Sequence, residues 1–294
     1  MKKFLLTGTM LLVALTIGAQ IKVAPKMKKG DKKVYVAEQT TQVGKLTAKM
    51  TIETLFEVKD ATSDGYVINS VVKDTKVETD TTDMTGRILA LTSKMTNNMS
   101  TTFATDKDGQ VIKILDFEKT RKQAAEMIEK LLVDIKLPEM ISKDIIMKMA
   151  MANITEDAIL KSMQMNNSPF ALNGKTISTG TEDEACTKEG IKMKRTYTVN
   201  DDKSIQATSK INMNVDDIVE MIVKLASEMF PGEAETVKQQ ISQMVKSGML
   251  KLSASDNATY TLRADGWVDS ITAETTTEGV GQKTTVTSKV KLKE

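Results

Sequence analysis

From Lys33 onward, apolar and polar residues alternate with the period of a strand that has one dry and one wet face. Residues 33–43 predict a first strand. After Gly44, Leu46, Ala48, Met50, Ile52, Phe56 and Val58 alternate with Lys45, Thr47, Lys49, Thr51, Glu53, Glu57 and Lys59, the clearest strand in the chain. Residues 60–65 make a turn, 66–77 a returning strand and 80–86 another turn. Residues 87–94 and 100–105 read as shorter strands, and Asp108-Gly109 is a hairpin signal leading into 110–116.

The period then switches to 3.6. Thr120 with Gln123 fits a capping box, with Ala124, Ile128, Leu131 and Ile135 on one face. Pro138 opens a second helix to Ala152, and Thr155 caps a third that stops at Asn166-Asn167-Ser168-Pro169. Strand pattern resumes from Lys175, with 192–199 turning through Asn200-Asp201-Asp202 into 204–213. Residues 215–248 repeat the helical pattern, broken at Pro231-Gly232. Residues 249–263, 267–277 and 284–292 close the chain as strands, the first two joined by Asp265-Gly266.

Phe103–Val111 echoes Tyr260–Val268, with Ile114 and Ile271 in step. Helices are expected after the first hairpin and before the second, an order that does not fit a simple tandem copy.

Lys2 and Lys3, the uncharged run from Phe4 to Ile17, and Gly18-Ala19 form a signal peptide, so residues 1–19 are expected to be removed. No cysteine lies just after that run; the sole cysteine is Cys186, far downstream, in an acidic setting that makes it a poor nucleophile. The expectation is a periplasmic or secreted protein without a lipid anchor or a transmembrane span in its mature chain. Removing Lys2 and Lys3 brings the 41 basic residues level with the 39 acidic ones, which argues against nucleic acid as a partner. Lys22, Lys26, Lys28, Lys29, Lys32 and Lys33 cluster at the new N-terminus and read as a solvated arm, with weak attraction to anionic lipid as the alternative.

With no histidine in its 294 residues, the chain lacks the usual general base and zinc ligand. The acidic groups Asp60 with Asp64, Asp80 with Asp83, and Glu182 to Glu184 fall in expected turns or loops, where such residues are solvated. Asp106-Lys107-Asp108-Gly109 resembles the start of a calcium loop, but the matching first and twelfth positions are Ala104 and Leu115, which carry no oxygen ligand. Neither an enzyme, a metal site nor a cofactor is expected. Methionine is the residue type that stands out, at 20 positions. Flexible thioethers on helix faces could repack around an apolar ligand, which makes Met127, Met140, Met147, Met151, Met163, Met221 and Met229 the candidate ligand-binding residues.

Lys29-Gly30-Asp31-Lys32-Lys33-Val34-Tyr35, Asp64-Gly65-Tyr66-Val67 and Asp108-Gly109-Gln110-Val111 resemble an uncharacterised family of secreted bacterial proteins with a domain of unknown function. The order of strands, helices and strands is similar to periplasmic lipoprotein carriers. That resemblance implies a curved antiparallel half-barrel with helices plugging its concave face. The expected fold is therefore α+β: one β-rich domain over 20–294, a large curved antiparallel sheet with amphipathic helices on one face, and helical inserts at about 118–165 and 215–248. The expected function is a binding protein that holds a lipid or acyl chain between the sheet and the Met-bearing helices. The alternative is a non-enzymatic structural or interaction protein of the envelope, with an envelope protein as its partner.

Overall fold

The computed structural model describes residues 20–44, 46–80, 95–134, 143–152, 154–165, 167–186, 192–212, 253–279 and 282–293, together with isolated positions within 81–94 and 213–252. Mostly antiparallel sheet, it is broadly α+β, with few helices. The strands are β1 (Ile21–Lys22), β2 (Lys32–Val43), β3 (Leu46–Ala61), β4 (Gly65–Glu78), β5 (Ser100–Asp106), β6 (Val111–Ile114), β7 (Thr176–Ile177), β8 (Glu182–Cys186), β9 (Lys192–Val199), β10 (Ile205–Asn212), β11 (Ser253–Leu262), β12 (Val268–Gly279) and β13 (Gln282–Lys293). The helices are α1 (Phe117–Asp134), α2 (Lys143–Ala152) and α3 (Glu156–Met163).

Among the described residues β1 pairs with β7, and the other 11 strands form one open sheet in the order β8-β9-β10-β11-β12-β13-β2-β3-β4-β5-β6. Every neighbouring pair is antiparallel. The chain starts near the middle, meanders to the β6 edge, then begins again at the β8 edge and meanders back until β13 pairs with β2.

Alternation fixes the two faces. Tyr35 lies opposite Thr54 and Leu292, and Ile52 opposite Ala37, so the odd positions of β2 share a face with the even positions of β3. This inner face carries Tyr35, Phe56, Val58, Ile68, Phe103, Tyr197, Tyr260, Ile271 and Val290, all in one core cluster. The outer face bears Thr51, Glu53, Glu57, Thr272, Glu274, Lys289 and Lys291.

The sheet curls. The turns of β5–β6 and β11–β12 both abut Pro25: a Cβ on Gly109 would come within 2.9 Å of its Cγ, and one on Gly266 within 2.9 Å of its Cα. Laid flat, β5 and β12 would stand about 24 Å apart, five spacings of roughly 4.8 Å, so one proline could not touch both turns. The arm that holds them is itself docked. Val23 and Met27 are buried, Lys26 N–H donates to the Asp265 carbonyl, Gly174 N–H donates to the Val23 carbonyl, and Lys22 pairs with Asp108 at 2.9 Å. The expectation of a solvated arm is thus corrected: Lys22, Lys26, Lys28, Lys29 and Lys32 are exposed, but Lys33 is part-buried over the Trp267 ring and Val23, Pro25 and Met27 between the lysines are buried.

Other expectations change as well. The helix predicted to be capped at Thr120 begins earlier, at Phe117, and Thr120 is a buried residue inside it. The Asp116 carboxylate, just before it, accepts from Thr102 N–H. The buried stripe is Thr120, Ala124, Ile128 and Leu132, one position off the expected Leu131, and Ile135 lies outside the described residues. Thr155 caps α3 as expected, its side chain accepting from Ala158 N–H. The helix predicted from Pro138 is described from Lys143. Residues 87–94, read as a strand, contain helical Ala90, Leu91 and Ser93, and Met95 and Thr96 beyond them are helical as well. Glu182 to Glu184 lie on edge strand β8 rather than in a loop. The insert at 215–248 lies outside the described residues except for helical Val219, Gln239 and Gln243.

The two hairpins match in detail, and described helical residues precede each of them, but α1, α2 and α3 follow the first hairpin as expected, an order that a simple tandem copy does not give. Phe103 faces Ile114 as Tyr260 faces Ile271, and register shifts fall at the corresponding pairs Ala104/Thr105 and Thr261/Leu262. Gly109 N–H donates to the Asp106 carbonyl as Gly266 N–H donates to that of Arg263. Ile68 faces Phe103 as Ile205 faces Tyr260.

Candidate functional site

The inner face has two zones. Towards the arm it is filled by Phe170, which follows α3 and packs edge-on against Phe56, Phe103 and Trp267 at centroid distances of 5.1, 5.2 and 6.2 Å. Ala171, Leu172 and Asn173 are buried beside it. Tyr35 donates its hydroxyl hydrogen to the Val268 carbonyl at 2.6 Å, and burial, reinforced by Asp265 and Asp269, raises its pKa well above the usual tyrosine range. Helix α3 lies on this zone through Ile159, Leu160 and Met163.

Away from the arm the same face continues as Ala37, Val43, Leu46, Met50, Ile52, Val72, Val77 and Val286, all half-buried. These are apolar positions of the same parity as the filled core, yet they are only partly covered. Thr96 on the helical segment reaches the buried Thr75 at 3.1 Å, which places that segment beside β4 on the inner face. Met165, Ala273, Thr275, Val286 and Asp256 line a small cleft there.

Across β8, β9 and β10 the inner face turns polar. Asp183, Arg195 and Ser209 stand opposite one another in consecutive register, and Asp256 and Thr275 continue the row on β11 and β12. Arg195 is 2% exposed and donates to the Tyr197 hydroxyl at 3.3 Å. Tyr197 donates to Asp183 at 2.9 Å, and Lys175 pairs with Asp183 and donates to Tyr197 at 3.0 Å. Burial works against the Arg195 charge, but Tyr197, Tyr260 and Asp183 outweigh it and raise its pKa. Burial also lifts Tyr260 far above the usual tyrosine range, against the pull of Arg195.

Among the described candidate methionines, Met127 and Met163 lie in different places. Met163 packs on the core, whereas Met127 lines a separate cleft with Met95 and Met99. Met147 and Met151 are half-buried on α2, which packs against α1. Met140, Met221 and Met229 lie outside the described residues. Sequence reasoning passed over Phe170, Arg195, Ser209 and Tyr260. The signal for Arg195 was present, because alternation through Met193, Arg195, Tyr197 and Val199 places an arginine at an apolar parity.

No family model matches the chain, and no curated protein does. Among solved structures it is similar to lipovitellin, described for its lipid-protein interactions, at 9% identity and a TM-score of 0.38 over 92% of this chain. The chain spans only 26% of that one. It is also similar to an outer membrane channel from Pseudomonas putida F1 at 9% identity and a TM-score of 0.20, covering 92% of this chain and 98% of the other. Likenesses this loose carry no weight for function. No described helix is long and apolar enough to cross a membrane.

Proposed function

We propose that the protein is an exported, non-enzymatic binding protein, periplasmic or secreted, that holds an apolar ligand such as an acyl chain against the inner face of its sheet. One observation carries this reading: the apolar inner face runs past the packed aromatic zone into the half-buried stretch of Leu46, Met50, Ile52, Val72, Val77 and Val286. Apolar area left partly in water costs about 25 cal/mol per Å², and a bound chain recovers it. The helical methionines suit this role through their flexibility rather than as one preformed pocket.

Titration with a fluorescent long-chain acyl probe tests the assignment, because adjacent residues of β3 face opposite ways. Met50→Asp should weaken binding at least about tenfold by putting a charge in the apolar face. Thr51→Asp, on the polar face, should leave binding unchanged. Equal behaviour of the two variants, each with wild-type circular dichroism, would sink the assignment.

A second reading, an interaction protein of the envelope, is favoured by Ile112 and Leu115, which are 55% and 47% exposed at and just beyond edge strand β6. It predicts that the acyl probe does not bind at all.

A further inference from the structure

Three thioethers share one cleft away from the aromatic core. Met95, Met99 and Met127 are half-buried and line a hollow of about 430 Å3, open to solvent, between helix α1 and the turn that precedes β5. The rest of the lining is polar: two asparagines, Gln123, Glu126 and Lys130. Such a lining does not suit an acyl chain, and none of these methionines packs on the core cluster as Met163 does. The helix places Met127 there by its period. Its buried stripe is Thr120, Ala124, Ile128 and Leu132, so Gln123, Met127 and Lys130 share the neighbouring face. Hydrogen bonds fix both walls. Asn98 N–H donates to the Val72 carbonyl at 2.8 Å and Val72 N–H to the Met99 carbonyl at 3.0 Å, which ties the turn to β4. Ser100 N–H donates to the Gln123 side-chain oxygen at 3.4 Å and Lys119 to the Ser100 hydroxyl at 3.2 Å, which ties α1 to the end of the same turn.

We propose that this cleft binds a soft monovalent metal ion, Cu(I), through the sulfurs of Met95, Met99 and Met127. The donor set decides the metal. Thioether sulfur is neutral and polarizable and selects Cu(I), whereas magnesium, calcium and manganese call for oxygen ligands. Zinc sites are built from thiolate, imidazole and carboxylate, and the lining offers one carboxylate, Glu126, with no cysteine or histidine. Walls held by hydrogen bonds keep the three backbones in place, while the rotatable bonds of each methionine let its sulfur swing onto a common ion.

The test titrates Cu(I), kept reduced in the absence of oxygen, into the full mature chain against a chromogenic Cu(I) chelator. Cys186→Ser is the background throughout, because a thiol binds Cu(I) by itself. A single tight equivalent should bind, and X-ray absorption at the copper edge should show a shell of sulfur. Met95→Leu, Met99→Leu and Met127→Leu should each weaken binding about tenfold or more, and the triple variant at least about 100-fold. Leucine keeps the volume and apolar character of methionine, so the fold should persist, as circular dichroism checks. Met163→Leu, on the core, should bind like the parent chain. The absorption spectrum of the parent chain keeps the proposal testable even where a variant folds poorly. A tight equivalent retained by the triple variant, an oxygen shell around the copper, or a chelator that keeps all of the metal would each overturn the proposal.

Discussion

Gly109 and Gly266 occupy the same place in hairpins from opposite halves of the chain, and Pro25 lies against both. Their φ values of 83° and 84° are left-handed, and an added Cβ would meet Pro25 at 2.9 Å in the first case and the Ala24 carbonyl oxygen at 2.8 Å in the second. One short segment therefore holds the curled sheet at both turns.

Gly266→Ala should destabilise the protein by about 2–3 kcal/mol, backbone strain and contact together. Gly30→Ala is the control. Its φ is 90° but nothing lies within 4 Å of the new methyl, so only the backbone cost of about 1 kcal/mol should appear. Urea unfolding compares them, and equal losses would mean that the arm is not held tightly at Gly266.

Phe170→Ala should cost roughly 3–5 kcal/mol, because the ring fills the space between Phe56 on β3, Phe103 on β5 and Trp267 in the β11–β12 connection, and its loss leaves a cavity there. The same unfolding experiment reads this. A loss below about 1 kcal/mol would show that the segment after α3 is not part of the core.

Burial raises the pKa of Tyr35 and of Tyr260 above the unfolded value of about 10. A raised folded pKa gives stability that is complete below the unfolded value and is lost as pH climbs from there towards the folded one. The thermal midpoint should therefore fall from about pH 10 upwards, and Tyr35→Phe should flatten that fall. Absorbance at alkaline pH should show both phenols ionising only as the chain unfolds; early ionisation of either would contradict its burial.

Met163 lies on the core while Met147 and Met151 are half-buried on α2. Met163→Asp should therefore lower stability by about 2–4 kcal/mol, whereas Met147→Asp with Met151→Asp should spare the fold and reduce acyl-probe binding. Circular dichroism and probe titration separate the two effects. Unchanged binding in the double variant would remove α2 from the ligand site.

Much of the sheet was legible because one face is dry: Leu46, Ala48, Met50, Ile52, Phe56 and Val58 alternate as β3 does, and Asp108-Gly109 and Asp265-Gly266 make the turns they promised. Short-range signals misled where tertiary contact decides. Residues 87–94 alternate weakly, yet their described positions are helical. The lysines of the arm suggested solvent, while Val23 between them is fully buried by a partner distant in sequence. Phe170 sits in a turn-rich stretch that advertised only the end of a helix. Of the site, the methionines drew attention by number, whereas the polar row depends on register between strands that sequence periodicity does not align.

Native mass spectrometry of the mature chain, purified without detergent from a bacterial periplasm and followed by solvent extraction, tests the central claim most directly. A stoichiometric extra mass that extracts as an apolar molecule is the expected result. An apo mass that stays unchanged when acyl lipids are added in excess would contradict it.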